Sequence, residues 1–195
     1  MKALIFDFGN VLYDYDGDNF NNTLKTSFGL TDNELLALSK GVFQDYMMGT
    51  CTSDEVVAAV KKYNSLFELN DFEDLFKNNF HKNDDMVNLL HKLKANYKLG
   101  LLTDTGPIPY KLFMVKELLP LFDAITLSFN IGVKKPNKIM YEDIVKKMKE
   151  LPSEMLFVDD KEKNISAAKE LGMQGYLFDN YDGFAKYLVD QGISV

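Results

Sequence analysis

Five short apolar runs along the chain have the composition of β-strands that are covered on both faces. They are Lys2 to Phe6, Lys98 to Thr103, Ala124 to Leu127, Met155 to Val158 and Gly175 to Phe178. Between the last four runs, helical periodicity occurs in Tyr110 to Leu119, Ile139 to Met148 and Ile165 to Leu171. Because strands alternate with helices, the pattern predicts an α/β fold built on a doubly wound parallel sheet.

The stretch between the first two strands does not fit this alternation. About ninety residues separate these strands, whereas a crossover connection needs only a dozen or more. The apolar positions in this stretch recur with helical spacing. Candidate N-caps are Thr31, Asp32, Thr52 and Ser53. We therefore expect a small helical-bundle cap over residues 15–80, inserted into a core of residues 1–14 and 81–195, with a helix from Asp84 to Ala95 returning the chain to the sheet.

Composition narrows the classes of protein that need to be considered. Apolar residues make up 46% of the chain and charged residues 26%, and no long apolar run is free of charge, so no membrane span is expected. The 22 basic and 29 acidic side chains give a net charge of −7 without a basic stripe, which speaks against a nucleic-acid partner. The N-terminal apolar run ends at Asp7 without a cleavage site, which speaks against a signal peptide.

The cysteine and the histidines suggest no separate site. A single cysteine, Cys51, excludes an intrachain disulfide and suits a cytoplasmic location. No histidine lies near it in sequence, so a structural role is favoured over a nucleophilic one. His81 and His91 both fall in segments with a helical pattern and are isolated, as surface histidines usually are. Monomer and homodimer both remain open.

Chemically reactive side chains follow the predicted strands. In open α/β sheets, a ligand binds outside the carboxyl ends of the strands. The residues at such positions are Asp7 after the first strand, Thr103 and Asp104 after the second, Lys134 and Lys135 before a helix, and Asp159 and Asp160 after the fourth strand. A nucleophile, a hydroxyl, a cation and a pair of carboxylates should therefore meet at one edge of the sheet.

Each of these residues also has a structural interpretation. Asp159 and Asp160 could cap the helix that follows, and Thr103 could be an ordinary β-branched strand residue. Lys135 could be a solvated surface lysine. Asp7 needs a partner at the mouth of a buried strand, and adjacent acids repel each other unless a cation is near, so a chemical role is favoured for the carboxylates.

Four motifs, in this order, resemble those of the haloacid dehalogenase superfamily, in its phosphatase-rich branch with a helical cap after the first motif. They are FDFGN at Asp7, LLTDTG at Thr103, VKKPN at Lys135 and LFVDDKEKN at Asp159. The cap segment YMMGTCTSDEV resembles the turn before a cap helix in this branch, and the first motif is similar to the DxGNV form of sugar 1-phosphate phosphatases. The resemblance covers essentially the whole chain. It implies a Rossmann-like core, a cap that acts as a lid, and hydrolysis of a small phosphorylated metabolite.

The resemblance makes Asp7 the nucleophile that attacks phosphorus and becomes an aspartyl phosphate. It assigns a Mg²⁺ ion to Asp7, the main-chain carbonyl of Gly9 and Asp160, with Asp159 as either a further ligand or a group that orients metal-bound water. Asn164 lies one helical turn after Asp160 and can face the same site. Many relatives carry aspartate there, so we expect a lower metal affinity in this chain.

The resemblance also assigns the phosphate contacts. Thr103 matches the hydroxyl that binds the transferring phosphoryl group, and Lys135, directly before a proline, matches the lysine that bridges nucleophile and phosphate. Further contacts are expected from the backbone N–H groups of Phe8, Gly9 and Asp104. Aromatic candidates to line the cap side are Tyr13, Tyr15, Phe20, Phe43 and Tyr46, although packing within the bundle is favoured for most of them.

Gly9 departs from the family pattern. Most phosphatases of the family carry a second aspartate there, which protonates the leaving group and then activates water. The loss of such an acid costs roughly 10²–10⁴-fold in rate unless another group substitutes or little protonation is needed. Two hypotheses follow. Either the substrate has a good leaving group, as sugar 1-phosphates, acyl phosphates and aryl phosphates do, or Asp14, Asp16 or Asp104 transfers the proton.

Two other functions compete with phosphate hydrolysis. A metal-free 2-haloacid dehalogenase also lacks the second acid, but such enzymes do not keep the paired carboxylates that stand here at Asp159 and Asp160. A catalytically inactive binding module is compatible with Gly9 and Asn164. Similarity of fold alone cannot distinguish a phosphatase, a dehalogenase and a binding module.

Overall fold

The computed structural model describes residues 1–194. Its strands are β1 (Ala3–Phe6), β2 (Tyr13–Tyr15), β3 (Phe80–Lys82), β4 (Lys98–Thr103), β5 (Ala124–Leu127), β6 (Met155–Asp159) and β7 (Gln174–Leu177). Its helices are α1 (Gly17–Phe28), α2 (Asp32–Lys40), α3 (Val42–Met47), α4 (Ser53–Lys61), α5 (Leu69–Lys77), α6 (Asp84–Leu93), α7 (Pro107–Pro109), α8 (Ser128–Ile131), α9 (Lys138–Met148), α10 (Glu162–Glu170) and α11 (Tyr181–Asp190). The five strands predicted from the apolar runs are present.

Strands β5, β4, β1, β6 and β7 form one parallel sheet in that order. In the central strand, Phe6 pairs with Leu101 of β4 and with Val158 of β6. The N–H of Asp7 continues this ladder and donates to the carbonyl of Val158 at 2.9 Å. Because neighbouring parallel strands end at the same edge of the sheet, this register brings Asp7 to the ends of β4 and β6.

Helices cover both faces of the sheet, as a doubly wound fold requires. Leu4 and Phe6 of β1 pack with α6 and α11 on one face, whereas Ala3 and Ile5 pack with α9 and α10 on the other. This alternation follows from the period of two along a strand, and it explains why the strand is apolar throughout. Within residues 1–194, none of the helices combines the length and the apolar character needed to cross a bilayer.

Helices α1 to α5 lie between β2 and β3 in the chain and pack around an apolar core of their own, with Leu24, Val56 and Phe72 among its members. Both α2 and α4 begin with a capping box. The hydroxyls of Thr31 and Thr52 accept hydrogen bonds from backbone N–H groups three residues on, and a glutamate side chain accepts the N–H of each cap. Asp32 and Ser53, the other cap candidates, are the first helical residues.

The strands β2 and β3 form a two-stranded antiparallel ribbon that the sequence pattern did not predict. The prediction that His81 lies in a helix is wrong, because His81 is on β3 and pairs with Asp14 of β2. Strands of three residues are too short to display an alternating pattern. The residues that pair, such as Tyr15 and Phe80, are also about 65 positions apart, so only the folded chain brings them together.

The predicted helix from Tyr110 to Leu119 is also wrong as a regular α-helix. The chain forms the short α7, then a π-helical turn at Tyr110–Met114 and a 3₁₀ turn at Leu119–Leu121. Pro120 has no N–H to donate to the preceding turn, so a regular α-helix cannot continue through it.

Candidate active site

A cavity of about 360 Å³ opens where the strands of the sheet end. Six of the residues predicted from sequence line it: Asp7, Phe8, Gly9, Asp104, Lys135 and Asn164. Thr103 and Asp159 do not line it and are buried at the ends of β4 and β6. Asp160 does not line it either, but accepts a hydrogen bond from Asn10, which does.

Asp7 presents one engaged and one free carboxylate oxygen. Its Oδ1 accepts a hydrogen bond from the N–H of Phe8 at 2.7 Å and lies 2.7 Å from Nζ of Lys135. No donor among residues 1–194 reaches its Oδ2. Burial raises the pKa of Asp7 to about 6, although the Lys135 ammonium opposes this shift. The group is therefore a carboxylate at neutral pH with one oxygen left to react or to bind a cation.

Lys135 connects the carboxyl ends of β1 and β6. Its side chain is almost fully buried, and its Nζ lies 2.7 Å from Oδ1 of Asp7 and 2.7 Å from Oδ2 of Asp159. Burial disfavours the charged form, but the surrounding carboxylates outweigh it and raise the pKa of Lys135 above its ordinary value. Its backbone N–H donates to Oδ1 of Asp104 at 2.9 Å, which fixes the loop that carries it. Lys134, the alternative considered from sequence, bonds elsewhere.

Asp159 is fully engaged within the protein. Its Oδ1 accepts hydrogen bonds from the N–H of Lys161 at 2.8 Å and from Nδ2 of Asn164 at 2.9 Å. Its Oδ2 accepts from Nζ of Lys135 and, at 3.0 Å, from the same Asn164 amide. Burial would raise the pKa of Asp159, but the Lys135 cation and these donors lower it below its ordinary value. Asn164 thus orients Asp159, a role that its position in the sequence did not reveal.

Two buried acceptor atoms at this site have no donor within residues 1–194. They are Oδ1 of Asp160 and Oδ1 of Asn164. Among residues 1–194, the only cation near the Asp160 oxygen is Nζ of Lys161 at 3.5 Å, which is too far for a good hydrogen bond. Carboxylate oxygens of Asp7, Asp159 and Asp160 all lie within 4.8 Å of one another. Unsatisfied buried acceptors are costly, so this cluster of hard oxygen atoms fits a divalent cation such as Mg²⁺.

The second motif places Asp104 and Thr105 in the cavity, rather than Thr103. The Thr103 hydroxyl donates weakly to the carbonyl of Asp104, at 3.5 Å. Thr105 is held by Ser128, whose Oγ accepts the Thr105 N–H at 2.9 Å. Burial raises the pKa of Asp104, against the opposing effect of Lys135. Asp104 is therefore protonated more readily than an exposed aspartate.

The position of Gly9 is open, because a Cβ built there would meet nothing within 4 Å. Of the three proposed substitutes for a second acid, only Asp104 shares this cavity. Asp14 and Asp16 line a neighbouring cavity beside His81. Asp16 also caps α1, accepting the N–H of Asn19 at 2.8 Å. The structure therefore does not bring Asp14 or Asp16 to Asp7.

Several lining residues were not anticipated from sequence. They are Asn10, Gln44, Met47, Phe76, Phe80, Thr105, Pro109, Lys161 and Lys163. Asn10, at φ 58°, could have been suspected from its place in the first motif, and its side chain joins Asp160 to the N–H of Tyr15. Gln44, Met47, Phe76 and Phe80, which belong to the cap and its ribbon, lie in no motif that would have marked them as lining residues. Of the aromatic candidates, Tyr15 lines the cavity, whereas the others pack within the apolar cores or against them.

Two curated relatives span nearly the whole chain. A flavin mononucleotide hydrolase of Arabidopsis thaliana is 28% identical over 198 residues, which cover 100% of this chain and 79% of that protein. A D-ribitol-5-phosphate phosphatase of Bacteroides thetaiotaomicron is 28% identical over 196 residues, which cover 92% of this chain and 93% of that protein.

Solved structures show the same fold. A HAD-family enzyme from Bacteroides thetaiotaomicron, in complex with magnesium and inorganic phosphate, superposes with a TM-score of 0.83 at 21% identity, covering 94% of this chain and 98% of that one. An L-2-haloacid dehalogenase from Xanthobacter autotrophicus gives a TM-score of 0.63 at 19% identity, and the match covers 100% of this chain and 85% of that one. The haloacid dehalogenase-like hydrolase family model matches residues 1–172. The strand-end motifs, the fold and this match agree, and the chain belongs to the haloacid dehalogenase-like hydrolase family.

Proposed function

We propose that this hydrolase cleaves the phosphate monoester of a small metabolite, with Asp7 as nucleophile and Mg²⁺ as cofactor. The observation that carries the proposal is the free Oδ2 of Asp7, which lies in the cavity beside a buried lysine and two buried acceptors without donors. A carboxylate attacks a dianionic phosphate only if cations cancel their repulsion and hold the two in line. The flavin mononucleotide hydrolase and the D-ribitol-5-phosphate phosphatase named above act on phosphorylated small molecules, which supports this substrate class.

The charges at the site support a divalent cation. Four lysines and four carboxylates meet there: Lys134, Lys135, Lys161 and Lys163, and Asp7, Asp104, Asp159 and Asp160. Their charges cancel, so a bound phosphate dianion would leave an excess of −2. Asp7 and Asp160 would hold Mg²⁺, with the carbonyl of Gly9 as a further candidate, while Asp159 is already engaged by Lys135 and Asn164. When bound, Mg²⁺ would offset the phosphate charge.

The reaction would proceed in two displacements at phosphorus. Asp7 attacks, a bond forms between its carboxylate oxygen and phosphorus, and the ester P–O bond breaks with the electron pair leaving on the alcohol oxygen. Lys135 stays beside Asp7 and stabilises negative charge on the phosphoryl oxygens. Water then attacks the phosphorus of the aspartyl phosphate, which releases inorganic phosphate and restores Asp7. The alcohol oxygen needs a proton in the first step, and the open position at Gly9 supplies none.

Asp104 is the candidate that the structure favours for this proton. For alkyl phosphates, whose leaving groups need protonation, we expect Asp104→Asn to lower kcat/KM by roughly 10²-fold or more. The amide keeps an acceptor for the Lys135 N–H, so the loop should stay in place. For p-nitrophenyl phosphate, a good leaving group, the loss should be much smaller. Equal losses on both substrates would contradict a proton-transfer role. Unchanged turnover of both substrates would exclude Asp104 as the acid and favour the hypothesis that the natural substrate has a good leaving group.

The central test is hydrolysis of p-nitrophenyl phosphate with added Mg²⁺ or with EDTA, by the unaltered chain and by Asp7→Asn. We expect turnover that requires Mg²⁺ and disappears in Asp7→Asn. Chloride release from 2-chloropropionate in EDTA would instead establish a dehalogenase. Absence of both activities would favour an inactive binding module.

A further inference from the structure

On the cap side of the cavity, α3 is joined to α7 and α8 by two hydrogen bonds. The ring of Tyr46 is 1% exposed, and its hydroxyl accepts the N–H of Ile108 at 2.7 Å. The hydroxyl of Ser128 donates to the carbonyl of Met47 at 2.6 Å. Gly106 lies so close to the Tyr46 ring that a Cβ there would overlap it. These contacts position the side chains that α3 presents to the cavity.

Gln44 of α3 is one of these side chains, and it forms a hydrogen bond with Lys134 at the wall of the cavity. The Lys134 ammonium donates to Oε1 of Gln44, and both residues line the cavity. Lys134 directly precedes Lys135, but the two lysines separate, since Lys135 bonds to Asp7 at the sheet and Lys134 bonds to the cap. The phosphate must lie at Asp7, so Lys134 is positioned for the part of the substrate that extends toward the cap.

Lys134 and Gln44 both retain unused hydrogen-bond donors. An ammonium carries three N–H donors, and Gln44 is the one partner that Lys134 Nζ has among residues 1–194. Because the amide oxygen of Gln44 faces Lys134, its Nε2 is left to donate elsewhere. No group in the described part of the chain accepts from it. Within the described residues, Lys134 and Gln44 thus present N–H donors to the cavity, and no protein acceptor lies opposite these donors.

The rest of the cap wall is apolar. It is formed by Tyr15, Met47, Phe76 and Phe80, and Pro109 of α7 continues the apolar surface. A leaving group that fits both surfaces needs a carbon skeleton to pack against this wall and oxygen acceptors along the other edge. A plain alkyl chain would bury the Lys134 ammonium without a replacement for its water, which is unfavourable.

We propose that Lys134 and Gln44 are specificity-determining residues that select phosphate esters of hydroxyl-bearing carbon chains, such as polyol or sugar phosphates. The inference rests on the proposed phosphatase activity. Lys134 and Gln44 bind hydroxyl oxygens of the leaving group and take no part in the displacement at phosphorus. Their loss therefore removes discrimination between leaving groups and leaves the chemical step intact.

The test compares two esters with five carbons each, ribitol 5-phosphate and n-pentyl phosphate, both of which have a primary alcohol as leaving group. Hydrogen bonds to a charged group correspond to about tenfold or more in binding, so we expect the unaltered chain to prefer ribitol 5-phosphate by at least about tenfold in kcat/KM. In Lys134→Met and in Gln44→Leu this preference should fall mainly through a higher KM for ribitol 5-phosphate. The kcat/KM for n-pentyl phosphate should rise, because its alkyl chain then packs against an apolar side chain and no longer displaces water from a polar one.

Two variants serve as controls. Lys138→Met makes the same substitution at an exposed lysine on α9 that lies outside the cavity, and it should leave both substrates unaffected. Lys134→Arg keeps a cation with several donors and should restore part of the preference. If the preference survives in Lys134→Met and Gln44→Leu, or if both substrates lose activity equally, the inference is wrong. If the unaltered chain hydrolyses neither ester nor p-nitrophenyl phosphate with Mg²⁺, the proposed function itself fails.

Discussion

Lys135 carries a positive charge at a place that water scarcely reaches. It is 6% exposed, and two carboxylates contact its ammonium at 2.7 Å. A buried ion pair contributes little net stability compared with an apolar replacement of the whole cluster, but the loss of one partner leaves the others uncompensated. Here the uncompensated groups would be Asp7 and Asp159, so the lysine is structurally as well as catalytically important.

For Lys135→Met we expect the free energy of unfolding in EDTA to fall by roughly 3–5 kcal/mol at pH 7.5. Without the ammonium, the pKa of Asp7 rises further above its ordinary value. A carboxyl group with a raised pKa favours the folded state only while it is protonated, so the deficit should shrink as the pH falls from 7.5 towards 6, where Asp7 is already protonated in the variant and still ionised in the unaltered chain. Urea unfolding at pH 7.5 and pH 5 measures this. Lys138→Met is the control, and an equal deficit at both pH values would contradict the electrostatic explanation.

The pKa of Asp7 also predicts how metal binding depends on pH. Since burial raises this pKa to about 6, Mg²⁺ must displace a proton from Asp7 below that pH. We expect the Mg²⁺ affinity to be about tenfold weaker at pH 5 than at pH 7 and nearly constant above pH 7. Calorimetric titration with MgCl₂ measures the affinity and the proton release. In Asp7→Asn the weaker residual binding should lose this dependence, and an affinity that does not change between pH 5 and pH 7 would contradict it.

Among the secondary-structure elements, α4 is defined mainly by local interactions and α3 mainly by tertiary ones. The start of α4 is defined locally, since Thr52 and Glu55 cap each other's backbone N–H groups at 2.7 Å and 3.2 Å. The six-residue α3 has no side-chain cap and is held by tertiary contacts of Tyr46 and Met47. A short helix of this kind is marginal by itself, so its position depends on its contacts with α7 and α8.

Removal of the α4 cap should therefore have a modest and local effect. We expect Thr52→Ala to lower the free energy of unfolding by about 1 kcal/mol, because one backbone N–H loses its acceptor. Thr52→Ser retains the hydroxyl and should keep most of the stability. Denaturant unfolding of the three proteins measures the difference. A loss as large in Thr52→Ser as in Thr52→Ala would show that the methyl group, and not the cap, is responsible.

On the scale of the whole molecule, the charge of the cavity differs from that of the chain. The chain carries a net charge of −7, yet the cavity lining contains four lysines and only two aspartates. Asp159 and Asp160 adjoin this lining and cancel the excess, so the cavity is near neutral and repels an anionic ligand less than the rest of the protein does. Ligands that bind there bind only the folded chain, so they should raise its overall stability.

We expect Mg²⁺ at one hundred times its dissociation constant to raise the free energy of unfolding by about 2.7 kcal/mol. Inorganic phosphate should add to this stability in Mg²⁺ and have little effect in EDTA, because its charge is compensated only when the cation is present. Unfolding curves under the four combinations of Mg²⁺, EDTA and phosphate test this. Asp160→Asn should abolish most of the Mg²⁺ effect. Stabilisation by phosphate that is equally large in EDTA would argue against a shared site.

The apolar pattern of the sequence was sufficient to predict the parallel sheet and the residues at its edge. A strand such as Ala3–Phe6 is buried on both faces, so its composition alone identifies it, and a polar residue directly after it must lie at the strand end. Parallel strands of one sheet share that edge. Asp7 and Asp104 could therefore be predicted as neighbours before any distance was known, whereas Lys135 precedes a helix and was chosen by its resemblance to the family motif.

The partners of each polar atom depended on contacts between residues far apart in the chain. The sequence could not show that Asp159 is engaged by Lys135 and Asn164 while Asp160 keeps an acceptor without a donor. It also could not place Gln44 opposite Lys134, 90 positions away. Periodicity reports which face of an element is buried, whereas the pairing of side chains across elements is decided by the tertiary packing that brings those faces together.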